Sequence, residues 1–358
     1  MAHWKQFFSA AVKEPPLEHC DVAVEISPRG LLFAQPAKTP SGSSAINGWQ
    51  VPFEKPTTAE QLAQRVYEQE LKHSLQKAKA QLSQIAGQDL VCLIPEELTR
   101  TIQTTLPDMP APVLRNAVAQ ELADLMDRDP SQIAFDFWSS NTAQEEELNQ
   151  IHAIAADQNF ISELIAQFRQ AGLRCRKITT RSLSLQQRYS TPTPGTIGIV
   201  DWGMDAVRMS VRNPEGKIYS RSFRNCLLQD IRDDLAKDWE VAPDQAFQIM
   251  NRLIDTTEVD TVVRGRLDAS FREALHQRYD LLADEIRKTI NFASLKLHAG
   301  EWDQILLTGA GSVLPQVRSI LDEQLPYPVV LSHCSVNRQK LFHAELDVLA
   351  SAMEGSGR

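Results

Sequence analysis

The sequence is poor in the patterns that announce metal, disulfide or hydrolytic chemistry. Its five cysteines, Cys20, Cys92, Cys175, Cys226 and Cys334, lie far apart and form no CxxC pair. Neither a zinc cluster nor a disulfide framework is signalled, and the expectation is reduced thiols in a cytoplasm. The eight histidines show no HExxH or HxH spacing, so each is expected on the surface or in the core rather than on a metal. There is no G-x-S-x-G elbow, and Ser182 and Ser184 have no neighbouring base. No apolar run approaches the roughly 18 to 20 residues of a membrane span, and the polar opening MAHWKQ does not read as a signal peptide. Any membrane role is therefore expected to be peripheral. Basic blocks are absent too, and a formal charge of -9 argues against nucleic acid as the main partner, because that affinity comes from neutralising phosphates.

What is present is an ordinary globular composition, 42% hydrophobic and 23% charged over 358 residues, which predicts about two to three domains. Trp4, Phe7, Phe8, Ala11 and Val12 fall near one helical face, read as packing on its own domain. Residues 21–33, DVAVEISPRGLLF, predict two short strands around a Ser-Pro-Arg-Gly turn. A Pro-, Gly- and Ser-rich loop follows over 35–56 with at most one strand near 49–53, then a long helix over 58–85 and a buried strand at 90–94. Prolines at 107, 110 and 112 mark a boundary. Beyond it, helix 113–126, strand 133–138, strand 151–156, helix 160–171 closed by Gly172, and strand 175–180 make a compact α/β unit. Acidic residues 145–147 read as a solvated loop, and TPTPG at 191–195 as a linker.

After the linker, TIGIVDWGMDAVRMSV (196–211) predicts a strand, a tight turn and a second strand, repeating the layout of 21–33. Strand 219–223, helical patterns over 226–239, 243–254 and 268–297, and a buried strand at 302–307 follow. That strand runs into Gly309-Ala310-Gly311 and a helix over 314–325, with a short strand at 329–331 and a last helix over 344–353. Gly309 and Gly311 between strand and helix suit a ligand whose phosphates or adenine approach backbone amides. By itself that signal is weak, since every α/β protein must turn from strand to helix.

The order of parts carries more. Strand-turn-strand with Asp201 and Gly203, then LADEIRKTINFASLKL, then strand-GAG-helix resembles the second half of the actin-like ATPase superfamily. The segments VCLIPEELTRTIQTTLPDMPAPVLRNAVAQELADLM and IHAIAADQNFISELIAQFRQAGLRCRKITTRSLSL are similar to those entering and leaving the extra subdomain of the PilM family of type IV pilus assembly proteins, relatives of FtsA. The resemblance implies an actin-like (ribonuclease H-like) α/β fold of two domains with an inserted α/β subdomain. Its divisions would be a first subdomain at 1–103 completed by 181–192, the insert at 104–180, and a second domain at 193–358 with a helical subdomain around 226–298. It also implies cofactor contacts for ATP at Glu25, Ser27, Asp201, Gly203, Gly309 and Gly311, with magnesium held through water by Glu25 and Asp201.

The nucleotide motifs depart from that family. Its first loop reads Asp-x-Gly, and here the matching place is Glu25-Ile26-Ser27. Ala206 or Val207 stands where a hydroxyl is usual, and the paired glycine is Gly309-Ala310. One lost phosphate contact costs on the order of 1 to 3 kcal/mol, so three together would lower affinity by several powers of ten. Weak ATP binding and negligible turnover are expected, and an empty cleft and a working ATP site both stay open at this stage. The implied function is a non-enzymatic cytoplasmic scaffold at the inner-membrane periphery, binding the cytoplasmic tail of a PilN-like membrane protein, with pilus motor or alignment-complex proteins as further partners. Strand addition or apolar pockets, in a groove between the first subdomain and the insert near 90–94 and 104–112, would hold that tail. The alternatives are an ATP-dependent switch or kinase of the same superfamily, and a counterpart of the GspL cytoplasmic domain of type II secretion.

Overall fold

A computed structural model describes residues 20–37, 45–54, 61, 66–82, 85, 88–140, 148–189, 195–254, 261–297, 300–332 and 341–353. The chain divides into two units, one of residues 1–188 with 349–358 and one of 189–348. The expected helical face at 4–12, the loop at 145–147 and linker residues 191–194 lie outside the described residues.

In the first unit, β1 (Val22–Ser27) and β2 (Gly30–Ala37) form the expected hairpin around Pro28 and Arg29, and β3 (Ala45–Pro52) continues it antiparallel. Gly30 has φ 146°, and a Cβ there would lie 2.2 Å from the Val51 carbonyl oxygen. Only glycine fits that approach of backbones. Helix α1 (Val66–Lys77) precedes β4 (Asp89–Leu93), which runs parallel to β1.

The next element was not anticipated. β5 (Thr99–Pro107, TRTIQTTLP) is a strand with Thr99 as its one buried residue, so its threonines and glutamine mask an alternation that hydrophobicity alone does not register. Helix α2 (Ala111–Met126), β6 (Ile133–Ser140) and β7 (Leu148–Asp157) follow. β5, β7 and β6 form a separate antiparallel sheet in that order. Its face of Ile133, Phe135, Ile151, Ala153 and Ala155 is buried with Val118 and Leu122 of α2.

Asp157 then caps α3 (Gln158–Gln170), its carboxylate accepting the Phe160 N–H at 2.9 Å, and Gly172 at φ 83° ends that helix. β8 (Arg174–Thr179) pairs parallel with β4, giving a five-stranded sheet β3-β2-β1-β4-β8. The sequence reading carried the insert through to residue 180, whereas this strand belongs to the larger sheet. Its hydrogen bonds go to β4, and a βα unit returning parallel does so beside its neighbour. Helix α4 (Arg181–Arg188) closes the unit.

In the second unit, β9 (Thr196–Trp202), β10 (Val207–Arg212) and β11 (Ile218–Phe223) form an antiparallel meander. Helices α5 (Leu228–Asp238), α6 (Pro243–Ile254) and the 36-residue α7 (Thr261–Lys296) pack on it before β12 (Trp302–Thr308). Helix α8 (Val317–Gln324), β13 (Val329–Leu331) and α9 (Leu341–Ser351) follow, the last three residues of α9 falling in the first unit. The sheet order is β11-β10-β9-β12-β13, with β9 parallel to β12. Every residue of β9 is buried, as a central strand with parallel pairing requires. Among the described residues, no helix is long and apolar enough to cross a membrane.

Candidate functional site

Parallel neighbours end side by side, so loops leaving them share one edge of the sheet. In the first unit this brings Glu25, paired in register with Leu93, near Arg181, which follows β8 directly. The Arg181 guanidinium donates to the Glu25 carboxylate at 2.7 Å, with side chains only 6% and 13% exposed. A carboxylate committed to such a pair is a poor ligand for a divalent cation, because the ion would have to displace or repel the guanidinium.

The turn itself offers little to a phosphate. Pro28 has no N–H, and the Arg29 N–H donates to Ser27 Oγ at 3.2 Å. The Ser27 hydroxyl donates in turn to the Gly30 carbonyl at 3.2 Å. Ser27, which stands where the family has glycine, thus takes up an amide that could have bound a phosphate. The N-terminal amides of α4 are likewise engaged: Ser182 N–H donates to Glu96 Oε1 at 3.0 Å and Leu183 N–H to Thr180 Oγ1 at 3.4 Å.

In the second unit the structure brings Asp201, Gly203, Gly309 and Gly311 together, because Asp201 and Thr308 are register partners at the ends of β9 and β12. A Cβ on Gly309, at φ 79°, would sit 2.5 Å from Asp201 Oδ1, and one on Gly311 would sit 2.3 Å from the Trp202 ring. These glycines are required first by the protein's own packing. Trp202 is fully buried, and its indole N–H donates to the Cys226 carbonyl at 2.8 Å. Tyr279 stands edge-on to it at 5.8 Å.

Two of the backbone donors there also have partners. Gly203 N–H donates to the Ala206 carbonyl at 3.0 Å, closing the β9–β10 turn. Ala310 N–H donates to Glu345 Oε1 on α9 at 3.2 Å. Asp201 is buried and faces Arg208, its cross-strand partner, with 3.6 Å between carboxylate and guanidinium. The Ala310 methyl, where the family has a second glycine, is buried in the hydrophobic core, and the feature of position 310 that bears on a ligand is its occupied amide. Ala206 and Val207 are buried as well, so the absent hydroxyl is replaced by packing.

Other chemistry is scarce. Among the described residues no group of three or more His, Cys, Asp or Glu side chains could hold a metal ion. Glu25 and Asp201, each beside an arginine, do not fit the implied magnesium. Cys20, Cys92, Cys175 and Cys226 are free and buried. Burial pushes the Cys20 thiol up to about 11 and those of Cys175 and Cys226 up to about 12, which leaves them un-ionised at neutral pH. A cavity of about 150 Å³ lies between α7 and the turn before α8, against Phe271, Leu275, Tyr279 and Pro315. None of the four loop residues lines it.

Arg181, Arg208, Trp202 and Glu345 were not singled out by sequence reasoning. Trp202 and Arg208 left a local signal, a large apolar residue inside the Asp-x-Gly turn and an arginine opposite Asp201 in a hairpin register. Arg181 is 156 residues from Glu25 and left none.

No protein-family model and no curated protein sequence matches the chain. Solved structures do. The PilM-PilN type IV pilus biogenesis complex is similar with a TM-score of 0.64 at 18% identity, covering 95% of this chain and 98% of that one. The cytoplasmic domain of EpsL, an inner membrane component of the type II secretion system of Vibrio cholerae, is similar with a TM-score of 0.36 at 12% identity over 62% and 76%. MreB5 of Spiroplasma citri bound to ADP is similar with a TM-score of 0.46 at 9% identity over 92% and 94%. At such identities the likeness is one of fold. The chain has the actin-like ATPase fold, in the form that PilM displays.

Proposed function

We propose that this chain is a non-catalytic actin-like scaffold of a type IV pilus or related secretion assembly, holding the cytoplasmic tail of an inner-membrane partner. The observation that carries the non-catalytic part is the filling of both candidate nucleotide loops by the chain's own groups: Arg181 on Glu25, Ser27 on the Arg29 amide, Glu345 on the Ala310 amide. A nucleotide would have to replace charge-assisted bonds already made, with little net gain. On this reading β5, β6, β7 and α2 form the inserted subdomain, and the protein works at the cytoplasmic periphery of the inner membrane.

The partner reading draws on the likeness to PilM in its complex with PilN. The site needs revision from the sequence expectation. Leu90 to Ile94 are all buried, and β4 is paired on both sides, so that stretch offers neither a groove nor a free edge. β5 is the first strand of its sheet, with Arg100, Thr101, Gln103 and Thr105 exposed, and an extended tail adding to it would use main-chain bonds.

A second reading, an ATP-dependent switch or kinase, has one observation in its favour: Asp201, Gly203, Gly309 and Gly311 do converge. One experiment separates the two. The labelled cytoplasmic tail of a PilN-like membrane protein from the same organism is titrated with and without Mg-ATP, with amide exchange followed in parallel. The scaffold predicts saturable binding indifferent to nucleotide, with slowed exchange in β5. Tail binding that requires Mg-ATP, or steady phosphate release abolished by Asp201→Ala, would favour the switch.

A further inference from the structure

The second unit carries a feature that neither reading uses. β11 is the terminal strand of its sheet, paired with β10 and, among the described residues, with no strand on its other side. Ser220 and Ser222 are exposed on it. Tyr219, on its opposite face, packs on Phe292 of α7 with ring centroids 4.8 Å apart. Phe292 is 42% exposed, and Leu295, one turn further, is 78% exposed. Isolated exposed apolar residues are ordinary, but two within a turn beside an open strand form a patch.

The charge around this patch runs against that of the chain. On β11, the turn leading into it and residues 284–296 of α7, Lys217, Arg221, Arg287, Lys288 and Lys296 stand against the carboxylates Glu215, Asp284 and Glu285. Glu285 is shared by Arg221 at 2.6 Å and Lys288 at 2.8 Å, so it offsets only one of them. A cationic, apolar edge on a protein of formal charge -9 is complementary to an acidic strand and repels a second copy of itself.

We propose that β11 is a second docking edge, taking an extended, acidic peptide segment of a partner protein whose apolar side chains rest on Tyr219, Phe292 and Leu295. The segment adds to the sheet beyond β11 through main-chain bonds, and its carboxylates meet Lys217, Lys288 and Lys296. This site lies in the second unit and does not depend on the proposed tail site at β5.

The probe is a fluorescein-labelled peptide of alternating glutamate and valine, titrated into the intact protein by anisotropy, with a lysine-valine peptide as control. The expected result is saturable binding of the acidic peptide, weakened at least about tenfold by Leu295→Glu and in the same direction by Lys296→Glu. Both positions are exposed, so the fold should tolerate the changes, and thermal unfolding checks this. Amide exchange within Ile218–Phe223 should slow when the acidic peptide binds. Equal binding of the lysine peptide would overturn the proposal, as would binding without protection of β11. Leu295-dependent sedimentation with anionic phosphatidylserine vesicles, in the absence of peptide binding, would assign the patch to a membrane. Self-association lost in Leu295→Glu would assign it to a second copy.

Discussion

The β1–β2 and β9–β10 hairpins have the same plan, a carboxylate near the end of a strand that pairs parallel with the next βα element, yet they are filled by different physics. In the first unit the filling is electrostatic: a buried arginine on Glu25 and a serine hydroxyl on the turn amide. In the second it is mainly steric: an indole against Gly311 and Asp201 against Gly309, with Glu345 adding one hydrogen bond and Arg208 a longer ion pair to Asp201 at 3.6 Å. Two hairpins of one fold are thus filled in two ways. The charge-filled loop should be sensitive to removal of one partner, and the packed loop to added volume.

The sharpest way to test that contrast is Arg181→Ala. It strands Glu25 in a site with 13% of its side chain exposed, and the loss of stability should be about 3–5 kcal/mol. The double variant Glu25→Leu/Arg181→Met should regain most of it, as buried pairs replaced by apolar groups often do. Urea unfolding monitored by amide exchange in β4 reads both. A single-variant loss under about 1 kcal/mol would mean that solvent already screens the pair. In the second unit, Gly311→Ala drives a methyl into the Trp202 ring and should cost about 1–3 kcal/mol, with faster exchange confined to β9 and β12. An unchanged protein would show that the indole is free to move aside.

Smaller effects sharpen the comparison. Ser27→Ala removes the hydroxyl that accepts the Arg29 N–H and should cost about 0.5–1.5 kcal/mol, seen as faster exchange at the β1–β2 turn. No change at Arg29 would break the claim that this amide is occupied. The smallest is a pH effect. Hydrogen bonds from Lys288 first, then Asn225, with the Arg221 charge beside them, hold Glu285 below the ordinary glutamate value. A lowered folded pKa contributes stability above the unfolded value and loses it as pH falls through the folded one. Glu285→Gln should therefore flatten the acid limb of a melting-temperature profile and leave its slope near neutrality alone. A steeper acid limb would give Glu285 the opposite sign.

Much of the fold was legible because hydrophobic periodicity is local. TIGIVDW and WDQILLT read as buried strands, and LADEIRKTINFASLKL as part of a long helix, and so they are. β5 escaped because threonine, arginine and glutamine fill an edge strand whose stability comes from β7 rather than from burial. Gly309 and Gly311 were legible as places of close approach, there read as room for a ligand, and Gly203 only through the resemblance. What approaches them was not, since Trp202 and Glu345 reach across the packed sheet edge from positions fixed only by tertiary structure. Pro28 was read as a turn former, although its missing N–H was already a statement about phosphate binding.

On this view the protein's own side chains and backbone occupy the places a nucleotide would need. Titration calorimetry of the intact protein with Mg-ATP tests it most directly. No saturable heat is expected at micromolar nucleotide, and none that Asp201→Ala alters. Micromolar binding abolished by Asp201→Ala would contradict it, and would mean that Arg181, Glu345 and Trp202 give way to a ligand rather than stand in for one.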